Sequence, residues 1–347
     1  MSLKRKLPTL TQWHRWLGLT LSLWLLLMAV SGSLLLYKND LLQLFYPQLN
    51  LAQPVETTDA AAALDQFDNG YALMPTADRP WLEVVNADKT HFYYDASGNL
   101  LLEREYLGDL ISWLVELHHH LALNDLGKDI LGILGLLSLV LIGTGLTRWW
   151  PRRGSLRRAL SVRFFNPFTK RGSQTLWQLH RFIGAVLFLP IAIVLITGTA
   201  IMYAAPVKSV LIFLLPFTQS IETPVQPSIT ADNWQQRLEL AKQALPTAEA
   251  RLLYLEDPRI RAKHANEWHP NGRNYIEFSE TGAVSQVIDE RETALGNRVS
   301  NMIYPTHVAS VGGAFYLFIV LLSGLALIAL PVSGLWFYIK RRQLKKT

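Results

Sequence analysis

Four stretches of this chain lack Asp, Glu, Lys and Arg over lengths that can cross a lipid bilayer. They cover residues 16–37, 130–147, 182–207 and 299–339. Because an α-helix rises about 1.5 Å per residue, about 20 apolar residues span the hydrocarbon core of a membrane. The chain is also 50% hydrophobic and only 17% charged, unlike an average soluble domain. The sequence therefore predicts a membrane protein with four spanning helices.

The distribution of charge predicts the orientation of these helices. All 27 acidic residues fall within residues 38–129 and 208–298. The N-terminal segment, residues 148–181 and the tail from residue 340 contain 18 of the 33 basic residues and no acidic one. By the positive-inside rule these three basic segments, and hence both termini, are cytoplasmic. Topology and contact with anionic lipid account for the basic charge, so we predict no nucleic-acid partner.

Short sequence matches indicate that the chain is an internal duplication. "HRWLG" at residues 14–18 opens the first span, and "HRFIG" at 180–184 opens the third. The second span ends in "GTGLTRWWPRR" (143–153) and the fourth in "PVSGLWFYIKRR" (331–342). Each half thus consists of a span, a polar segment and a second span. Two such halves in one orientation form a parallel repeat, which predicts a four-helix bundle.

The polar segments carry signals of small α+β domains. "FYYDASGNLL" (92–101) and "YIEFSETGAV" (275–284) each place apolar residues on both sides of a Gly-containing turn, which predicts two hairpins. Residues 230–245 have the apolar spacing of a helix with a Thr or Asp cap at its start. We therefore expect two small extracytoplasmic α+β domains.

The predicted fold class is a four-transmembrane-helix bundle formed by internal duplication, with two small α+β extracytoplasmic domains. The predicted segments are a first helix (1–37), a first extracytoplasmic domain (38–117), a second helix (118–150), a basic cytoplasmic loop (151–175), a third helix (176–205), a second extracytoplasmic domain (206–304), a fourth helix (305–339) and a cytoplasmic tail (340–347). Gly18, Gly32, Gly184 and Gly198 are candidates for close helix packing.

The duplication sorts the histidines into two pairs. His14 and His180 are equivalent, at the cytoplasmic ends of the first and third spans. His307 lies 27 residues before Gly334, and His118 lies 27 residues before Gly145, so the repeat pairs His118 with His307. A two-residue gap would select His120 instead. Since consecutive helical residues point about 100° apart, His119 and His120 are expected to face elsewhere.

Paired histidines near each membrane face fit the axial ligands of two b-type haems. The chain has no cysteine, which excludes thiolate ligands and covalent haem attachment through a Cys-x-x-Cys-His motif. Two histidines on facing helices suit a planar cofactor that needs two axial ligands. The alternative is that each histidine is an interfacial residue whose hydrogen bonds are satisfied. Arg15 and Arg181 follow the inner pair and are candidates for haem propionates or for plain topology charges.

The remaining histidines give weaker signals. His91 begins a predicted strand, where we expect it to be exposed. "HANEWH" at residues 264–269 contains two histidines and a glutamate, but its spacing is not that of a metallopeptidase helix. The chain shows no phosphate-binding glycine loop and no dinucleotide fingerprint.

The motifs "QWHRWLG", "QLHRFIG", "ELHHHL" and "TGLTRWWPRR" resemble those of the PepSY-associated transmembrane helix proteins, which are iron-regulated bacterial inner-membrane proteins. The resemblance covers nearly the whole chain and identifies the polar segments as PepSY-like domains. It implies a haem-dependent oxidoreductase that reduces a periplasmic ferric siderophore and releases Fe(II) for iron uptake. It further implies His14, His180, His118 and His307 as ligands of two b-type haems.

The resemblance leaves the electron donor open. Some members carry a fused cytoplasmic flavin reductase module that this sequence lacks, so the donor is expected to be a separate flavin reductase or a quinol. Two rival functions stay open at this stage. One is a non-redox, membrane-anchored PepSY module for binding or regulation, and the other is a haem-bearing membrane subunit of another oxidoreductase.

Overall fold

The computed structural model describes residues 9–52, 61–150, 160–166, 169, 172–218 and 229–343. The basic N-terminal segment, most of the predicted loop at 151–175 and the end of the basic tail lie outside the described residues. The chain divides into two compact units. The helical unit comprises residues 1–36, 115–203 and 306–347, and the sheet unit comprises residues 37–114 and 204–305.

The secondary-structure elements are numbered here in chain order. The helices are α1 (Leu10–Leu35), α2 (Lys38–Phe45), α3 (Leu110–His120), α4 (Asn124–Trp149), α5 (Gly172–Val186), α6 (Phe188–Met202), α7 (Ala204–Leu214), α8 (Trp234–Ala244), α9 (Leu295–Asn301), α10 (Ile303–His307) and α11 (Gly313–Gln343). The strands are β1 (Tyr71–Leu73), β2 (Leu82–Val85), β3 (His91–Tyr94), β4 (Leu100–Arg104), β5 (Ala248–Tyr254), β6 (Arg259–His264), β7 (Asn274–Phe278) and β8 (Val284–Ile288).

Three helices of the helical unit, α1, α4 and α11, are long and apolar enough to cross a membrane. Helices α5 and α6 make a fourth crossing if they form one span, but they are bent by 66° at Leu187. Pro190 lies in the first turn of α6. Its ring has no N–H to donate, and in a continuous helix it would clash with the carbonyl of Val186. The predicted third span at 176–205 is therefore two helices with a sharp bend.

The second and fourth spans begin later than the sequence predicts. Helix α4 starts at Asn124, not at residue 118, and α11 starts at Gly313, not at residue 305. Leu121 and Ala122 have φ angles of 52° and 57°, and left-handed residues of this kind end a helix. His118 and His307 consequently lie on the short helices α3 and α10 that precede the spans.

The spans of the helical unit pack around one apolar core. Helix α1 contacts α4 and α11, α4 contacts α6, and α11 contacts α5. The buried side chains of this core are Leu21, Leu25, Ala29, Leu141, Ile191, Leu195, Ala326 and Leu327. Two glycines allow close helix crossings, because a Cβ at Gly324 would lie 2.2 Å from Ser33 Oγ and one at Gly135 would lie 2.4 Å from Thr199 Oγ1.

The sheet unit is built on one antiparallel sheet of eight strands in the order β4-β3-β2-β1-β5-β6-β7-β8. Each half of the sheet is a four-stranded meander, and pairing of β1 with β5 joins them. The structure therefore does not separate the two polar segments into independent domains, because the central β1–β5 pairing makes their sheets continuous.

The local elements predicted in the polar segments are confirmed. Hairpins β3–β4 and β7–β8 form at the predicted turns, where Gly98 and Gly282 have φ angles of 74° and 79°. Both hairpins also have a register shift at the same place, after Tyr93 and after Glu277. The predicted helix at 230–245 is α8, which is capped by Asn233 and not by Thr or Asp.

The two faces of the sheet have different surroundings. One face forms the main core of this unit, in which Ala72, Val84, Leu253, Ile260 and Ile276 pack with residues of α8. On the other face, the first meander is covered by a second cluster that contains Trp81, Tyr93 and Ile111. The outward side chains of β6 and β7 lie on this second face.

Candidate functional site

The helical unit brings the four predicted histidines together as two pairs. His14 on α1 and His180 on α5 have ring centres 6.3 Å apart, with an angle of 78° between the rings. His118 on α3 and His307 on α10 have ring centres 6.4 Å apart, with an angle of 32°. Each pair joins one histidine from each half of the chain. We call His14 with His180 the inner pair and His118 with His307 the outer pair.

Each histidine of the inner pair is fixed by its Nδ1 atom to a neighbouring span. Nδ1 of His14 donates to the carbonyl oxygen of Leu141 (3.1 Å) and contacts Thr144 Oγ1 (3.2 Å) on α4. Nδ1 of His180 does the same on α11, with the carbonyl oxygen of Leu330 at 3.0 Å and Ser333 Oγ at 3.2 Å.

The outer pair has the same attachment on different helices. Nδ1 of His118 lies 3.0 Å from Ser31 Oγ on α1, and the Met28 backbone carbonyl is beside the ring. Nδ1 of His307 lies 3.1 Å from Thr197 Oγ1 on α6, and the Val194 backbone carbonyl is beside the ring. Each of the four imidazoles thus contacts a hydroxyl and has a backbone carbonyl next to it.

These contacts fix the position of the imidazole proton. A carbonyl oxygen can only accept a hydrogen bond, so Nδ1 must carry the hydrogen. The hydroxyl contacts support the same position of the hydrogen. Ser31 donates its own proton to the Leu27 carbonyl (2.7 Å), and Thr144 donates to the Leu141 carbonyl (2.8 Å). Each hydroxyl therefore accepts from Nδ1, and Nε2 keeps its lone pair. Within the described residues, no hydrogen bond of these four Nε2 atoms is found.

A glycine lies against each of the four rings. A Cβ would approach the imidazole Cε1 to 2.7 Å at Gly32, 2.9 Å at Gly198, 3.0 Å at Gly145 and 3.3 Å at Gly334. Any larger residue there would displace the ring. Gly32 and Gly198 thus make room for a histidine, whereas the sequence assigned them to helix packing. Gly18 and Gly184 would make only ordinary contacts, at 3.7 and 3.6 Å.

The four attachments follow one local pattern. In each case the hydroxyl residue directly precedes the glycine, and the carbonyl belongs to the residue four positions before the glycine. One turn of helix separates positions four apart, so all three groups lie on one face. The paired "SG" and "TG" dipeptides were the sequence signal for these hydroxyls, and sequence reasoning missed their role.

The spacing of the rings can be tested against a metal held between two imidazoles. A metal–nitrogen bond is about 2 Å long and the nitrogen lies roughly 1.1 Å from the ring centre, so two axial imidazoles have centres about 6 Å apart. The inner and outer pairs, at 6.3 and 6.4 Å, fit this requirement. Among the described residues no group of three or more His, Cys, Asp or Glu could hold a metal. Two nitrogen donors per site match a haem with two axial histidines better than a tetrahedral zinc site.

The other two histidines of the triplet lie away from His307. His120 Nδ1 is 3.2 Å from Glu116 Oε1 on the same helix. His119 is exposed and makes edge contacts with the rings of His118 and His120. The helical turn of about 100° per residue accounts for this divergence.

The two predicted arginines are near the inner pair in sequence, and their role stays a prediction. Arg181 lies over the ring of Trp177 at 4.6 Å, and its Nη2 donates to the Ser161 carbonyl. Arg15 is exposed.

The remaining histidines belong to the sheet unit. His91 was expected to be exposed, but its Nδ1 lies 2.8 Å from the buried carboxylate of Glu83. His264 contacts Asp289 at 3.3 Å, and His269 is buried and stacks on Tyr304.

Comparison with known families identifies the chain. The sequence profile described as the PepSY-associated TM region matches residues 11–341. The chain belongs to this family. A search of curated proteins finds no match. Family membership and the apolar helices together make this a membrane protein, as the sequence predicts.

Membership in this family spans both units of the structure. The matched region begins one residue into α1 and ends within the last turn of α11, so it includes all four histidines.

Proposed function

We propose that this chain is a di-haem reductase that moves electrons across the bacterial inner membrane to a ferric siderophore in the periplasm, releasing Fe(II). In this proposal, His14 and His180 hold one b-type haem near the cytoplasmic face, and His118 and His307 hold a second near the periplasmic face. When bound, such a haem supplies a one-electron ferric/ferrous couple. The observation that carries the proposal is the fourfold attachment of histidine Nδ1, which leaves four Nε2 atoms as ligands.

The hydrogen bonds of the chain prepare each histidine as a ligand. The Nδ1–H bond to a carbonyl selects the tautomer, holds the ring orientation and raises the basicity of Nε2. Because the carbonyl and the hydroxyl lie on a neighbouring span, the ring is fixed by two helices. A merely interfacial histidine does not require such a set at four positions with the same spacing.

The recurrence of the pattern also supports the proposed internal duplication. Positions on α1 correspond to positions on α5 and α6 that are 166 residues later, as in His14 with His180 and Gly32 with Gly198. Positions on α3 and α4 correspond to positions on α10 and α11 that are 189 residues later, as in His118 with His307. We propose that the two meanders of the sheet unit are the corresponding PepSY-like segments.

The direction of electron flow follows from the proposed orientation. The positive-inside rule puts His14 and His180 on the cytoplasmic side, where a flavin reductase or a membrane quinol is the proposed donor. The sheet unit is then periplasmic and provides the surface for the siderophore. Reduction weakens binding of iron by hard oxygen ligands, because Fe(II) is a softer cation of lower charge than Fe(III).

A reduced-minus-oxidised absorption spectrum and a haem count of the purified protein test this proposal. We expect the spectrum of six-coordinate b-type haem and two haems per chain. A folded protein without haem would overturn the proposal and favour the non-redox PepSY module.

A second assay separates the reductase from a haem subunit of another enzyme. Proteoliposomes containing only this chain, with dithionite inside and a ferric siderophore with a chromogenic Fe(II) chelator outside, should produce the coloured Fe(II) complex. If haem is present but no Fe(II) forms, the chain serves another oxidoreductase.

A further inference from the structure

The outward face of the second meander carries a cluster of arginine and tyrosine side chains. Arg259 and Arg261 alternate with the core residue Ile260 on β6, so both point away from the core. Arg259 pairs across the sheet with Glu277, and Arg261 pairs with Tyr275. The Arg261 guanidinium lies 5.7 Å from the centre of the Tyr275 ring.

Two of these cations have no acidic partner. Arg259 contacts Glu277 at 3.8 Å, and Arg251 pairs with Glu249. Arg79 lies near the carboxylates of Asp78 and Glu83. By contrast, Arg261 and Arg273 take part in no ion pair among the described residues. Arg261 donates to the Gly272 carbonyl (2.7 Å) and to His269 Nδ1 (3.3 Å), and Arg79 donates to the Met74 carbonyl (2.7 Å).

The same arginines have hydrogen-bond donors that the described part of the chain leaves unused. The buried Nε atoms with no hydrogen-bond partner there include those of Arg79, Arg251, Arg259, Arg261 and Arg273. Arg261 is itself only 6% exposed. A buried charged donor without a partner is costly, so these Nε atoms are available to bind an anionic ligand.

Tyr304 adjoins this cluster through His269, whose Nδ1 accepts a hydrogen bond from Arg261. Tyr304 is 40% exposed and stacks on His269, with ring centres 5.3 Å apart. Burial and the nearby charges of Arg273, Arg261 and Lys263 lower the pKa of His269 to about 2, so this imidazole adds no positive charge.

The first meander shows that the fold does not require these arginines. The bulge after Tyr93 corresponds to the bulge after Glu277, so Glu83 and Val85 of β2 occupy the positions of Arg259 and Arg261. There the polar groups are compensated, since Glu83 pairs with His91 and Arg104 pairs with Asp109 (2.7 Å). The unpaired Arg261 and Arg273 of the second meander therefore have no counterpart in the ion pairs of the first.

From this cluster we propose that the outward face of β5–β7 around Tyr304 binds an anionic ferric chelate. The inference rests on the proposed function and narrows its substrate class to siderophores whose ferric complexes carry net negative charge, with catecholate or carboxylate donors. Arg261 and Arg273 bind the anionic oxygens, and the tyrosine rings contact the aromatic or aliphatic body of the chelate. Planar guanidinium groups suit paired oxygens of this kind.

Equilibrium binding of redox-inert gallium complexes to the full-length, haem-loaded protein tests this inference. The probes are a trianionic gallium tris-catecholate and a neutral gallium trihydroxamate, measured by isothermal titration calorimetry. We expect the trianionic complex to bind at least tenfold more tightly, with an affinity that falls as salt is raised. Arg273→Gln should weaken its binding about tenfold without affecting the neutral complex.

Matched variants separate a binding role from a structural one. Arg237→Gln is the control, because Arg237 has an unpartnered Nε and lies over Trp234 on α8, the helix that packs on the other face of the sheet. It should leave both affinities unchanged. Arg261→Gln should match Arg273→Gln, and Arg261→Lys, which keeps the charge, should restore part of the affinity even if the buried site is less stable.

Three results would overturn the inference. These are equal affinity for the two complexes, an Arg273→Gln variant that behaves like Arg237→Gln, or an arginine dependence seen with phosphatidylglycerol vesicles and not with the chelate. The haem count of the same samples distinguishes failure of this inference from failure of the proposed function. Haem-loaded protein without anion preference contradicts only this inference, while haem-free protein that still prefers the trianion contradicts only the reductase.

Discussion

In the helical unit the two halves of the chain have matching contacts, whereas in the sheet unit the two halves differ in charge. In the helical unit, corresponding positions have the same role. Each histidine ring lies beside a carbonyl and a hydroxyl, and a glycine leaves space for it. In the sheet unit, equivalent strands share their pairing and their bulge but differ in charge. Glu83 on β2 corresponds in register to Arg259 on β6.

The difference shows which features of each unit are under a geometric constraint. Under the proposed function, a metal between two imidazoles requires matched rings, so both halves present a histidine in the same way. A sheet requires only its core face and its hydrogen bonds, so its outward face is free to carry compensated ion pairs on one meander and unpaired arginines on the other.

The largest expected effect is loss of one haem when a single histidine is removed. His118→Ala should lower the haem content from two per chain to one, and His14→Ala should do so equally, because an imidazole cannot be replaced by a methyl group. Haem is counted as the pyridine complex. His119→Ala is the control and should retain both haems, and a His118→Ala protein with two haems would contradict the equivalence of the halves.

A smaller effect is expected from filling the space beside the imidazole. Gly32→Ala should displace His118, with a cost of about 1–3 kcal/mol and partial loss of outer haem, because a Cβ there would lie 2.7 Å from the ring. Gly334→Ala, at 3.3 Å, should be milder. Gly18→Ala, at 3.7 Å, should be neutral, and haem occupancy with thermal melting measures all three.

Removing the hydroxyl that contacts a histidine Nδ1 should weaken haem binding without abolishing it. Ser31→Ala and Thr197→Val should each weaken haem binding about 10–100-fold, the range found for outer-shell partners of metal ligands. Haem titration of the apoprotein measures this. Ser22→Ala removes a hydroxyl that bonds only its own helix at Leu19 and should change nothing. Unequal effects of Ser31 and Thr197 would break the proposed symmetry.

The smallest effects on haem are expected in the sheet unit, where buried Glu83 and half-buried Glu267 should make stability respond to pH in opposite directions. Burial opposes ionisation of Glu83, but Lys38, His91 and Arg79 outweigh it and lower its pKa. Burial and Glu290 raise the pKa of Glu267 from 4.5 to about 8. Glu83 therefore stabilises the fold above its unfolded pKa, and that stability is lost as the pH falls. Glu267 stabilises it at low pH, and that stability is lost as the pH rises through about 8.

Melting temperatures as a function of pH measure these contributions. Glu267→Gln should flatten the decline between pH 4.5 and about 8, and Glu83→Gln should flatten the decline on the acid side. Each carboxyl contributes a slope of at most about 1.4 kcal/mol per pH unit. Parallel behaviour of the two variants would contradict the difference between the meanders.

The sequence by itself determined the membrane class, the number of apolar segments, the two hairpins and the histidines that come together. These follow from local signals, because apolar length, turn glycines and residue spacing act within a short stretch of chain. The pairing of His118 with His307, and not His119 or His120, needed only a count of residues between two matched glycines.

Only the tertiary structure decided the rest. The break of the third span at Leu187, the start of α4 and α11 beyond the outer histidines, and the merging of two polar segments into one sheet depend on where distant backbones meet. The roles of Gly32 and Ser31 were also invisible in sequence, since a glycine beside a serine is common in spanning helices. Which glycine receives an imidazole, and which arginine lacks an acid, is set by neighbours far away in the chain.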